Sequence, residues 1–121
     1  MGYYTKFDLT AQHRDTWMAV DPETEKEMAV DLWANYINSG CSWTPQTFEV
    51  VFEEEMKWYN CEHDMFEFSK KYPDYIFLLE GVGEEFDDQW RLYVCNGVME
   101  KIRAKIIFDA PQEQLFTRMH Y

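Results

Sequence analysis

Tyr3, Thr5, Phe7 and Leu9 alternate with Tyr4, Lys6, Asp8 and Thr10, a period of two that predicts a first strand with one mainly apolar face. After a less regular stretch the period lengthens. Met28, Ala29, Leu32, Trp33, Tyr36 and Ile37 fall on one helical stripe, so a helix is expected from Pro22 to about Asn38. Asp21 stands at its N-cap, Pro22 at its first position and Glu23, Glu25 and Glu27 near the positive end of its dipole, with Gly40 where a C-terminal cap belongs. From Val50 alternation returns. Val50, Phe52, Met56 and Trp58 oppose Val51, Glu53, Glu55, Lys57 and Tyr59, which predicts a second strand; the spacing of Phe48, Val51 and Phe52 admits a helix from about Thr44 instead.

Asn60 is placed to cap a short helix through Lys71, with Met65, Phe66, Ser69 and Tyr72 facing inward and Pro73 as its stop. Residues 75–80 are rich in strand formers. Residues 90–95 and 98–108 read as two further strands joined by Asn96-Gly97, because both central residues of a type I′ turn need positive φ. Strand, helix, strand, helix and three strands predict a single α+β domain over residues 1–121, ferredoxin-like, with two helices on one face of a mostly antiparallel sheet. Beyond Phe108, residues 109–121 predict a terminal helix carrying Leu115, Phe116 and Met119, or an aromatic tail that docks on another chain.

A chain of 121 residues supports one hydrophobic core. Its charge narrows the function. With 23 Asp+Glu against 11 Lys+Arg the net charge is -12, which argues against direct nucleic-acid binding and against attraction to anionic membranes. The acid is concentrated: residues 49–88 carry 13 Asp+Glu and 3 Lys+Arg, a balance of -10, whereas residues 91–121 carry a balance of +2. A strand spaces same-face side chains by about 6.6 Å, so Glu53 and Glu55 on a strand form a regular row of carboxylates. Duplex DNA spaces phosphates by about 3.4 Å along each strand, and such a row suits a protein that occupies a basic nucleic-acid channel. The plainer use of the same residues is a solvated face.

Chemical motifs are sparse. Gly81-Val82-Gly83-Glu84 precedes a hairpin and lacks the helix N-terminus of a phosphate-binding loop, so it reads as a turn or bulge. Glu84, Glu85, Asp87 and Asp88 do not have the spacing of a calcium loop, and Cys61 and His63, two apart, do not share a helix face. No catalytic residue, metal ligand or cofactor is assigned, and a non-enzymatic protein is expected. Cys41, Cys61 and Cys95 are an odd number without a close pair, which suits free thiols in a reducing compartment. No run of 18 apolar residues occurs, Tyr3, Tyr4, Lys6 and Asp8 break any secretory core, and Lys6 spoils a myristoylation motif at Gly2. A cytoplasmic protein is expected. Five Trp, eight Tyr, nine Phe and seven Met favour protein-protein binding or self-association into a homo-oligomer.

Several residues also form a recognisable set: Gly2-Tyr3-Tyr4-Thr5, Lys57-Trp58-Tyr59, Asp64-Met65, Phe68-Ser69-Lys70-Lys71-Tyr72-Pro73-Asp74, Gly81, Gly83-Glu84-Glu85, Trp90-Arg91, Tyr93 and Asn96-Gly97. The set resembles a family of small acidic bacteriophage and prophage proteins of largely unknown function, over the first strand and residues 57–97. The resemblance implies no shared catalytic site; it implies that Trp58 and Tyr72 are core, Pro73 a helix stop and Asn96-Gly97 a turn. It also implies a context. In a bacterial host, a small acidic phage protein is expected to inhibit defence, as anti-CRISPR and anti-restriction proteins do, some by presenting DNA-like charge. The expected partner is a host nucleic-acid-binding defence protein, met by Glu53, Glu55, Glu62, Asp64, Glu67, Glu84, Glu85, Asp87 and Asp88 with exposed aromatics as anchors. The alternative is an oligomeric small-ligand binder, such as a sponge for a nucleotide signal, with Arg91, Lys101, Arg103 and Lys105 holding the anion.

Overall fold

The first strand forms where alternation is cleanest. In the computed structural model, which describes residues 3–37, 44–85 and 87–105, β1 spans Lys6–His13 and buries Phe7, Leu9 and Ala11 while Lys6, Asp8, Thr10 and Gln12 face solvent. A turn then brings Ala19 back beside Gln12. Asp21 caps helix α1 (Pro22–Leu32) by accepting the Thr24 N–H at 3.0 Å, and this bond holds its carboxyl below the usual range. Met28, Ala29 and Leu32 are buried, and a wider π-helical turn over Trp33–Ile37 continues the stripe with Trp33, Tyr36 and Ile37 packed on the core. Gly40 lies outside the described residues.

Here the chain departs from the alternating reading. Residues 50–59 do not form a strand: helix α2 (Phe48–Val51) opens at Thr47, whose Oγ1 accepts the Val50 N–H at 3.3 Å, and buries Phe48, Val51 and Phe52. The i, i+3, i+4 spacing prevails because one cap and one apolar stripe are satisfied together, whereas a strand would have buried Glu54. Glu25 of α1 fixes the new helix by accepting the Phe48 N–H at 3.0 Å. Glu53, Glu54 and Glu55 lie exposed in the turn that follows, so they are not a strand-spaced row.

Helix α3 (Cys61–Lys71) starts at Asn60, which makes no side-chain cap bond; acids in its first turn and Lys70 and Lys71 in its last complement its dipole. It buries Cys61, Met65, Phe68 and Ser69, and it ends before Pro73. Asp31 of α1 joins the two helices, accepting from Lys71 Nζ at 3.1 Å and from the Tyr72 hydroxyl at 3.0 Å. Desolvation first and Asp31 second hold that phenol well above its ordinary pKa.

Three strands follow: β2 (Tyr75–Val82), β3 (Gln89–Cys95) and β4 (Val98–Arg103). All neighbours are antiparallel and the order is β1-β2-β3-β4, so the sheet is a meander, and among the described residues every helix is inserted between its first two strands. The result is the expected α+β arrangement, an antiparallel sheet with helices on one face. Residues 106–108 of the last expected strand, and the expected terminal helix or tail, lie outside the described residues. At the hairpin tip Asn96 (φ 45°) and Gly97 (φ 77°) have the positive angles that a type I′ turn requires.

The aromatic surplus resolves mostly into core. Phe7, Phe52, Trp58 and Trp90 interlock at one end, with Phe52 stacked on Trp58 at 5.7 Å and Phe7 edge-on to Trp58 at 5.4 Å. At the other end Phe68 is fully buried between Tyr36, Tyr72 and Phe77. No helix among the described residues is long and apolar enough to cross a membrane.

Candidate interaction surface

Residues 3–6, which lead into β1, organise the acidic end of the molecule. Thr5 exchanges both backbone hydrogen bonds with Met56, and the Lys6 ammonium donates to the carbonyls of Phe52 and Glu53. This lysine neutralises the negative end of α2 and pins the Glu53-Glu54-Glu55 turn. Tyr3 secures the β2–β3 loop. Its hydroxyl donates to Asp88 Oδ2 at 2.7 Å and accepts the Glu85 N–H at 2.8 Å, while its own N–H donates to the Tyr59 hydroxyl at 3.0 Å. Desolvation, then the bond to Asp88, raises the pKa of Tyr3, and the Glu85 N–H partly offsets them. A Cβ at Gly83 would lie 2.2 Å from the Asp88 carboxylate and 2.4 Å from the Tyr3 hydroxyl, so a side chain there would displace the hydrogen bond between them.

Residues 3–6 therefore bring the turn carrying Glu53 and Glu55 and the loop carrying Glu84, Glu85 and Asp87 to one end of the sheet. Tyr4 and Tyr59 are exposed at the same end, 42% and 67% accessible, with the Lys57 ammonium 4.8 Å from the Tyr4 ring. The surface has acids and aromatic anchors side by side.

The other acidic residues are partly engaged within the fold. Asp64 turns back to accept the Trp58 Nε1–H at 2.7 Å, and Asp88 is held by Tyr3 and by Arg103 at 3.4 Å, so both are framework carboxylates. Glu62 is exposed and pairs with Lys101 at 2.6 Å; Glu67 is exposed further along α3. The basic residues do not converge. Sheet register puts Arg91 on the bare face, paired with Glu80 at 3.3 Å, and Lys101 and Arg103 on the opposite face. Lys105 is exposed beyond β4.

Cys61 is buried, and its thiol is pushed up to about 11 by desolvation first and by Glu62 next, while His63 of the same turn is exposed. Among the described residues no group of three or more His, Cys, Asp or Glu is placed to hold a metal ion. Periodicity gave no sign of the exposed knuckle Trp17-Met18 in the β1–α1 turn, where Trp17 has φ 61° and both side chains are about two-thirds accessible. Only the irregularity of that stretch hinted at it. Comparison with protein-family models, with curated proteins and with solved structures finds no match to this chain.

Proposed function

We propose that this is a non-enzymatic, phage-derived inhibitor of a host defence system, of the anti-CRISPR or anti-restriction type, that acts by binding a basic nucleic-acid-handling protein. The observation that supports the reading is the gathering of Glu53, Glu55, Glu84, Glu85 and Asp87 beside exposed Tyr4 and Tyr59 by one N-terminal segment. Acids at the rim steer a basic partner and tyrosines at the centre anchor it. Asp64, Asp88 and Glu62 contribute by shaping the surface, because their charges are already hydrogen-bonded or paired inside the fold.

The test is a tagged pull-down from bacterial lysate at low and high salt, with mass spectrometry of the bound proteins, repeated with Glu55, Glu84, Glu85 and Asp87 changed to their amides. A single stoichiometric nucleic-acid enzyme, lost at high salt and lost with the amide variant, is the expected outcome. No protein partner at any salt, or a partner that binds the neutralised variant equally well, overturns it.

A further inference from the structure

Among the described residues the outer edge of β1 is closed at its two ends and open in the middle. Thr5 bonds Met56 through both its N–H and its C=O, at 3.0 and 2.9 Å; at the far end the Ala11 carbonyl accepts the Val20 N–H at 3.2 Å and the His13 N–H donates to Met18 at 2.8 Å. Backbone groups alternate sides along a strand, so the odd residues of β1 face this edge and the even ones face β2. Phe7 and Leu9 lie between the two closures, and no described residue pairs with their outward N–H and C=O groups. Beside them runs a groove of about 840 Å³, walled by β1 on one side and by Phe48, Val50 and Phe52 on the other. Asp8, Glu49 and Glu53 rim it. Among the described residues the one lysine at the groove, Lys6, is already committed to the carbonyls of Phe52 and Glu53, and the Glu25 carboxylate to the Phe48 N–H.

We infer that this groove accepts a short extended segment of a partner protein, rich in Lys or Arg, which adds to β1 as a fifth strand. Unpaired donors and acceptors at strand spacing are a template for main-chain pairing, and the apolar wall and acidic rim select what pairs. Residues of the segment opposite Phe7 and Leu9 turn their N–H groups toward β1 and their side chains toward Phe48 and Phe52, so apolar residues belong there. Residues between them project to the bare face beside Asp8, so basic residues belong there. A second copy of β1 does not fit. The Met56 and Ala19 bridges block the lane at both ends and leave it open opposite residues 6–10, which is room for about five residues at roughly 3.4 Å each and not for an eight-residue strand. This site shares Glu53 with the acidic end but rests on the backbone of β1 and not on the β2–β3 loop.

Amide exchange of the full chain followed by NMR tests it, with the probe acetyl-Lys-Val-Lys-Val-Lys-amide. In the free protein the Phe7 and Leu9 amides should exchange at least about tenfold faster than those of Asp8 and Thr10, which bond to β2. The probe should slow both of them. The same peptide methylated on both valine nitrogens should bind at least about tenfold more weakly. Val50→Arg, at a partly exposed position on the groove wall, should weaken binding by a similar factor while leaving the lysate partner of the acidic end bound. Four results overturn the inference: no binding of the probe, equal binding of the methylated peptide, shifts confined to the β2–β3 loop, or slow exchange at Phe7 and Leu9 before any peptide is added. In the last case, dependence on protein concentration marks a second copy as the occupant and independence marks the chain's own remaining residues. Because the variant of the acidic end and Val50→Arg share no residue, either reading can fail alone.

Discussion

The two faces of the sheet obey the same alternation and meet different fates. On the helix side Phe7, Leu9, Phe77, Leu79, Leu92 and Val94 are all almost inaccessible, whereas across the sheet Val82, Val98 and Ile102 are apolar and about half or more exposed. Polarity of the side chain therefore does not decide burial here; the presence of a helix does. The coverage stops at β3: on β4, Met99, Lys101 and Arg103 point to the helix side and remain exposed, because the helices lie over the first three strands. A sheet residue in this protein matters for stability in proportion to the helix above it.

The sharpest test of that rule sets Phe68 of α3, fully buried between three rings, against Ile102 of the bare face. Phe68→Ala should destabilise by about 3–5 kcal/mol and Ile102→Ala by less than about 0.5 kcal/mol, read from denaturant midpoints at constant slope. Equal losses would mean that the bare face is covered in solution. Next in size is Gly81, where β2 passes under Trp90. A Cβ there would lie 2.3 Å from the indole, so Gly81→Ala should cost about 1–3 kcal/mol and displace a ring that packs on Phe7 and Lys101. A loss of the near-ultraviolet signal from Trp90 alongside the lowered midpoint checks it.

Much of this is legible in the sequence. Asp21-Pro22, the stripe from Met28 to Ile37 and Asn96-Gly97 each combine a start or stop residue with a matching period, and local signals that agree with one another survive folding. The strand expected over residues 50–59 gave way to the alternative helix through Phe48, Val51 and Phe52 because a short apolar run has no unambiguous period; the Glu25 carboxylate that accepts the Phe48 N–H beside the Thr47 cap is a tertiary contact that no window of sequence contains. The acidic residues were visible as composition. Their division into framework carboxylates, Asp64 and Asp88, and exposed ones was not, since it depends on Trp58, Tyr3 and Arg103 arriving from elsewhere in the chain. The open middle of β1 was hidden for the same reason: an edge is a property of the sheet, and only strand order reveals it.

Burial under the helices also has a pH signature. The Cys61 thiol is raised to about 11 from an ordinary thiol value of 9.0 because desolvation and Glu62 disfavour the thiolate. The unfolded chain releases this proton more readily than the folded one, so stability is unaffected below about pH 8 and falls as the pH rises through 9 to 11. The loss should reach roughly 2 kcal/mol by pH 11. Cys61→Ala, compared with the parent chain at pH 8 and pH 11, should remove that part of the alkaline loss. On the bare side Cys95 is only partly buried, and a thiol reagent at pH 8 should label it well before Cys61.

The smallest effect concerns the hairpin that carries β4 beyond the helical layer. Asn96 has φ 45° and Gly97 φ 77°, and the Gly97 N–H donates to Ser69 Oγ at 2.9 Å, so this turn joins α3 to the outer hairpin at its tip, as the Glu62–Lys101 pair does along β4. Asn tolerates the left-handed region and alanine does not, which sets the cost of Asn96→Ala at about 1 kcal/mol. Asn96→Gly should lie within a few tenths of a kcal/mol of the parent. If instead both substitutions cost the same, the Asn96 side chain itself would be the stabilising element, and backbone conformation would not be what joins the uncovered strand to the covered ones.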